Sequence, residues 1–162
     1  MTLPHIPDPM PGDAVAADAL PIVIIPRVRD IGDFQVRRAL PSAQRQMVRP
    51  FIFFDQFGPI TMQAGQGQDV RPHPHIGLQT VSWLLDGEVL HHDSLGLQGL
   101  ARPGVLNLMT AGRGIAHSEE TPPENSGVLR GVQLWVALPE AHRQGEPAFH
   151  QEARLPVVPF EG

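Results

Sequence analysis

His73-Pro74-His75-Ile76-Gly77-Leu78-Gln79-Thr80-Val81-Ser82-Trp83 and Thr110-Ala111-Gly112-Arg113-Gly114-Ile115-Ala116-His117-Ser118-Glu119 are the two runs from which the fold of this 162-residue chain is read. Each places two metal-ligating residue types two positions apart. In an extended strand, side chains alternate between faces, so residues at i and i+2 point the same way. His73 therefore pairs with His75, and His117 with Glu119. Two strands that each offer such a pair to one interior supply three imidazoles and one carboxylate, a donor set suited to a divalent first-row metal. His117 follows His75 by 42 residues, far enough to cross a barrel, and glycines beside both motifs fix tight local paths.

Outward from these motifs, the chain is patterned for strands. Its 18 prolines and 16 glycines divide the apolar residues into short runs, which predicts an all-β domain with turns at roughly ten-residue spacing. Pro21 to Ile25 is a β-branched run expected to be a strand, as is the alternating segment Phe34 to Arg38. Phe51 to Phe54 is expected to be a strand stopped by the turn Asp55 to Pro59, lying under the metal site as core. Val81, Trp83 and Leu85 share one face, and Asp86-Gly87 predicts a hairpin returning through Glu88 to His92. Arg102-Pro103-Gly104 marks a further turn before Val105 to Met109. Val128 to Leu138 is the longest strand candidate, and Pro139 to Arg143 is read as one helical turn. Residues 1–20, with Pro4, Pro7, Pro9 and Pro11, are expected to be a loose arm, leaving 21–160 as a single domain.

Composition removes several classes of function. All twelve basic residues are arginine, scattered from Arg27 to Arg154, and the formal net charge is −5, which is no footprint for direct nucleic-acid binding. The absence of cysteine excludes thiolate metal sites and cysteine nucleophiles, so a metal must sit on nitrogen and oxygen. No signal-peptide pattern and no stretch approaching the ~20 apolar residues of a membrane span occur. A soluble, cytoplasmic protein is the expectation. Among the other histidines, His5, His142 and His150 lie in polar or proline-rich surroundings and are expected to be solvated. His91 and His92 face opposite ways on a strand, so at most one looks inward; His91 with Asp93 is expected to line the pocket or support a ligand.

These motifs resemble the two cupin motifs, and the chain is most similar in pattern to the pirin family. The segments Phe51 to Pro59, His73 to Trp83, His91 to Gly96, Pro103-Gly104, Met109 to Glu119 and Gln133 to Val136 resemble pirin counterparts in the same order. The resemblance implies a cupin-type β-barrel, a jelly-roll-like double-stranded β-helix, equivalent to the N-terminal half of a two-barrel protein whose C-terminal cupin is missing here. It implies a metal bound by His73, His75, His117 and Glu119, expected to be Fe(II), with Mn, Ni, Cu or Zn as alternatives. Three neutral imidazoles and one carboxylate around Fe(II) leave a net positive charge that favours an anionic ligand.

Two functions come with that resemblance: a quercetin 2,3-dioxygenase-type oxygenase acting on a flavonol, or an iron-dependent regulatory partner of other proteins. A truncated cupin that keeps the metal and lacks activity is a third. For the enzyme, the metal brings substrate and dioxygen together, and Glu119 is expected to act as both ligand and catalytic base. Many pirins carry glutamate at the position of Gln79. Strand parity running from His75 through Gly77 would place Gln79 on the ligand side, where an amide cannot take a proton. A lone barrel would leave apolar surface uncovered, so a homo-oligomer or a protein partner is also expected.

Overall fold

The computed structural model describes residues 22–159 apart from 32, 33, 64, 65, 68 and 157. The expected arm over 1–20 lies outside the described residues. Among those described there is no helix, and the chain runs through β1 (Arg27–Ile31), β2 (Phe34–Leu40), β3 (Phe51–Thr61), β4 (Val70–His75), β5 (Leu78–Asp86), β6 (Val89–Asp93), β7 (Gln98–Ala101), β8 (Leu106–Thr110), β9 (Ile115–Glu120), β10 (Val128–Ala137) and β11 (Ala148–Glu152). A seven-stranded sheet has the order β1-β2-β3-β10-β5-β8-β11, and a four-stranded sheet the order β4-β9-β6-β7. All pairings are antiparallel. The all-β, jelly-roll-like cupin architecture is thus present, with the long strand β10 pairing on both sides, to β3 and to β5.

Each sheet buries one face, so the core lies between them. Leu84 of β5 and Leu129 of β10 meet Ala101 of β7, with Met62, and Phe57, Ile60 and Val89 pack around this cluster. A second cluster joins Met109 of β8, Ala111 and Ile115 of β9, with Phe149 of β11 against it. Polar side chains are buried as well: Asp55, Thr80, Asn107 and three histidines, His75, His91 and His117. Buried polar groups require partners, so these positions mark where the interior carries chemistry.

Three features differ from the sequence expectations. Residues 22–26 form no strand; Pro26 has no N–H to give to a ladder, and pairing begins after it, with Arg27 opposite Arg38. Strand β3 does not stop at Asp55 but runs on to Thr61, because a register shift against Leu129 and Gly131 absorbs Gly58 and Pro59 as a bulge. That makes β3, not β10, the longest strand. Asp86-Gly87 is not the turn of a hairpin, since β5 belongs to the large sheet and β6 to the small one. Gly87, at φ 84°, carries the chain from one layer to the other, and a Cβ there would sit 2.1 Å from the carbonyl oxygen of Val128. The single turn expected after Pro139 is present, the N–H groups of His142 and Arg143 both donating to the Pro139 carbonyl, at 2.8 and 3.1 Å. No helix among the described residues is long and apolar enough to cross a membrane.

Candidate metal centre

Strands β4 and β9 are neighbours in the small sheet, and their register sets His73 directly opposite His117. His75 lies two residues along β4 on the same face. Donor atoms of His73, His75 and His117 all fall within 4.8 Å of one another. The ring centroids are 4.5 Å apart for His73 and His117, 4.9 Å for His73 and His75, and 5.1 Å for His75 and His117. The three imidazoles thus reach one point because β4 and β9 are adjacent strands, not because they face each other across the barrel.

The hydrogen bonds fit a metal on the remaining nitrogens. His73 Nδ1–H donates to the carbonyl oxygen of Arg71 at 2.9 Å, leaving Nε2 as a lone-pair donor. The Nε2 atoms of His75 and His117 are buried and have no hydrogen-bond partner. A buried polar atom left unsatisfied costs ~1–3 kcal/mol, and a cation bound by these two nitrogens together with His73 Nε2 removes that cost. Burial first, and then the neighbouring His73, hold the imidazole of His75 down at about 4. Burial and then His73, His75 and His91 lower His117 to about 3, against the opposing pull of Asp93. Both rings are neutral at physiological pH, the state in which imidazole ligates.

Glu119 shares the inward face of β9 with His117 but stands outside the compact cluster of three. Its Oε1 accepts a hydrogen bond from Gln133 Nε2 on β10 at 3.1 Å, so the carboxylate reaches toward the large sheet. Burial raises its pKa, partly offset by His73 and by the Gln133 hydrogen bond. His73 and Glu119 open onto a cavity of about 280 Å³ whose wall includes Phe34, Phe53, Phe57 and Trp135. Phe53 and Trp135 stack at 4.1 Å with 11° between their planes, and Trp135 meets His75 edge-on at 5.1 Å. Of the run Phe51 to Phe54, Phe53 is buried and reaches the histidines through Trp135, whereas Phe51 is exposed.

Gln79 lies elsewhere. On β5 the cavity-lining residues are Ser82 and Leu84, and Gln79 has the opposite parity. Its Nε2 donates to Thr110 Oγ1 on β8 at 2.8 Å. Parity cannot be carried from His75 to Gln79 because the chain leaves the small sheet at Ile76, turns at Gly77 with φ 68°, and enters the large sheet. Gln79 is thus not brought to the ligands. His91 is: it is buried, and its Nδ1 lies 3.3 Å from Nδ1 of His117. His92 points the other way, its Nδ1 lying 3.6 Å from the Glu120 carboxylate. His142 and His150 are exposed, and His5 lies outside the described residues.

Sequence reasoning missed most of the cavity wall. Arg38 and Asp55, opposite each other on β2 and β3, form a two-pronged ion pair at 2.8 and 2.7 Å, and the Arg38 guanidinium lies 4.4 Å over the ring of Phe53. The available signal was parity: Val36 and Arg38 share a face, and an arginine in line with a buried valine must find a partner. Gln133 and Trp135 could be placed on one face of β10, but nothing local distinguished the inward face from the outward one.

Comparisons with known proteins agree with this fold. The family model for pirin matches residues 33–136. A Pseudomonas aeruginosa protein provisionally named quercetin 2,3-dioxygenase is 49% identical over 125 residues, covering 77% of this chain and 39% of that protein. A pirin-like protein of Caulobacter vibrioides is 46% identical over 142 residues, covering 83% of this chain and 49% of its own length. The crystal structure of a quercetin 2,3-dioxygenase from Acinetobacter baumannii superposes with a TM-score of 0.81 at 46% identity, covering 85% of this chain and 46% of that one. The chain spans half or less of the length of each of these proteins.

Proposed function

Because this chain belongs to the pirin family, we propose that it is a metal-dependent oxygenase of the quercetin 2,3-dioxygenase type, with His73, His75, His117 and Glu119 holding Fe(II). One observation carries the reading: a cluster of three histidines with two unpartnered buried Nε2 atoms at the wall of a cavity lined by aromatic rings. The similarity to an Acinetobacter quercetin 2,3-dioxygenase supports the choice of a flavonol as substrate. A divalent metal in this site supplies Lewis acidity and open coordination positions for an oxygen-bearing ligand.

The protein's own residues do the rest. Phe34, Phe57 and Trp135 line the cavity with aromatic surface for a planar ligand, for which stacked or edge-on packing is favourable, and Phe53 backs Trp135 from behind. Glu119, whose proton affinity is raised by burial, takes the role of base toward an acidic hydroxyl in this reading, and Gln133 orients its carboxylate by donating to Oε1. A cavity of about 280 Å³ is near the lower bound for small-molecule sites.

The test is oxygen uptake by anaerobically iron-loaded protein with quercetin. The expected result is uptake that tracks quercetin loss and disappears in metal-free protein. Uptake no greater with iron than without overturns the oxygenase reading and leaves a metal-dependent binding role. The Gln79→Glu variant supplies a second check. With residue 79 directed at Thr110 rather than at the cavity, this substitution is expected to change turnover by less than ~2-fold, well short of the ~10²- to 10⁴-fold gain of a newly placed general base. A large acceleration at matched metal content would place residue 79 at the reacting centre.

A further inference from the structure

His117 is held from behind by a chain of buried groups. His91 Nδ1 lies 3.3 Å from His117 Nδ1, and His91 Nε2 lies 3.1 Å from Asp93 Oδ2. The other carboxylate oxygen, Oδ1, accepts from the backbone N–H groups of Leu95 and Leu97 at 2.9 and 3.1 Å. The Asp93 side chain is wholly buried. Phe149, carried in by β11, stacks flat on the His91 ring at 4.0 Å and 5°. Room for that ring exists because the residue opposite His91 on β7 is Gly99; a Cβ there would come within 2.3 Å of Phe149 Cε1. His91 is thus fixed on one face by an aromatic ring and at both nitrogens by hydrogen bonds.

Counting donors and acceptors gives this chain a direction. An ionised carboxylate only accepts, so His91 Nε2 carries the proton it gives to Asp93. Nδ1 of the neutral His91 ring is then an acceptor, and His117 must donate to it from Nδ1. The proton of His117 is thereby held away from the cluster, and its Nε2 lone pair faces His73 and His75.

We propose that Asp93, His91 and Phe149 form a positioning relay that locks His117 as an Nε2 ligand. This rests on the metal-binding reading of the three-histidine cluster. It adds a function for residues that neither ligate nor line the aromatic cavity, and it assigns β11 a part in the site. The strand delivers the ring that keeps His91 from rotating. His73 is oriented more simply, by a single backbone carbonyl, so two of the three imidazoles have their tautomer set from behind.

Asp93→Asn tests the direction of the relay while nearly preserving shape. An asparagine whose oxygen still accepts from Leu95 and Leu97 turns its NH₂ group toward His91. Each ring in turn then reverses, and the proton of His117 moves to Nε2, against the metal. Two measurements are made: histidine ¹⁵N chemical shifts of metal-free protein, which report the tautomer, and Co(II) titration followed by absorption. The expected results are an Nδ1–H tautomer for His117 in the wild type, an Nε2–H tautomer in Asp93→Asn, and Co(II) affinity lowered ~10- to 100-fold, the usual cost of losing a group that orients a ligand. His91→Phe keeps the stack on Phe149 and removes the acceptor, so it is expected to lose affinity to a similar extent. His91→Asn, whose oxygen can stand near the lost Nδ1, is expected to recover part of it. Wild-type protein that binds Co(II) while Asp93→Asn and His91→Phe bind equally well overturns the relay, as does an Nε2–H tautomer for His117 in the wild type. Failure of the wild type to bind Co(II) at all overturns the metal reading and the relay with it.

Discussion

Replacing His117 by alanine is expected to abolish stoichiometric metal binding. The residue sits at the centre of the cluster: it is paired in register with His73, its ring is in contact with those of His73, His75 and His91, and its Nε2 is buried without a partner. Alanine removes that nitrogen and leaves two imidazoles and the Glu119 carboxylate, whose Oε1 is shared with Gln133. The loss is expected to exceed the ~10- to 100-fold associated with removing a supporting group, and His75→Ala should behave alike. His142, exposed on the turn after Pro139, is the control, and His142→Ala is expected to load as the wild type does. Elemental analysis after anaerobic loading and gel filtration makes the measurement. A His117→Ala protein carrying as much metal as the wild type would show that the cluster is not the binding site.

Arg38→Met is expected to produce the largest loss of stability. Asp55 is 2% exposed, and its carboxylate is held by two hydrogen bonds from Arg38. Removing the guanidinium leaves a buried charge without its counter-ion, which in such pairs costs ~3–5 kcal/mol. Arg38 keeps a quarter of its side-chain exposure, so the lower figure, about 3 kcal/mol, is the expected one, or roughly 6–12 °C in Tm for a domain of this size. The contact of Arg38 with Phe53 disappears as well, loosening the stack that runs from Phe53 through Trp135 to His75. Pairing the change with Asp55→Leu removes the stranded charge, and the double variant is expected to recover most of the stability because an apolar replacement of a buried ion pair is often neutral. Denaturant unfolding of both variants decides it. A single variant as stable as the wild type would mean that water reaches Asp55.

What could be read from the sequence was what a strand dictates over two or three residues. The period of two set His73 beside His75 and His117 beside Glu119, and the prolines and glycines set the turns at Arg102 to Gly104 and after Pro139. Those relations are local, and they survived folding because each pair lies on a single strand. The pirin-like order of motifs added that the two strands share one site. Wherever the chain changed sheets, local periodicity stopped carrying information. Gln79 lost its parity with His75 at Gly77, and Asp86-Gly87, a sound hairpin signal, became a crossing between layers, because Gly87 closes against the backbone of Val128 rather than folding β6 back on β5. The sites that depend on groups far apart in the chain were decided by tertiary structure alone: Arg38 on Asp55, Trp135 on Phe53 and Phe149 on His91. In each, the geometry comes from strand register and from space left by another element, as Gly99 leaves it for Phe149, and no spacing within a motif encodes a gap that a distant strand will fill.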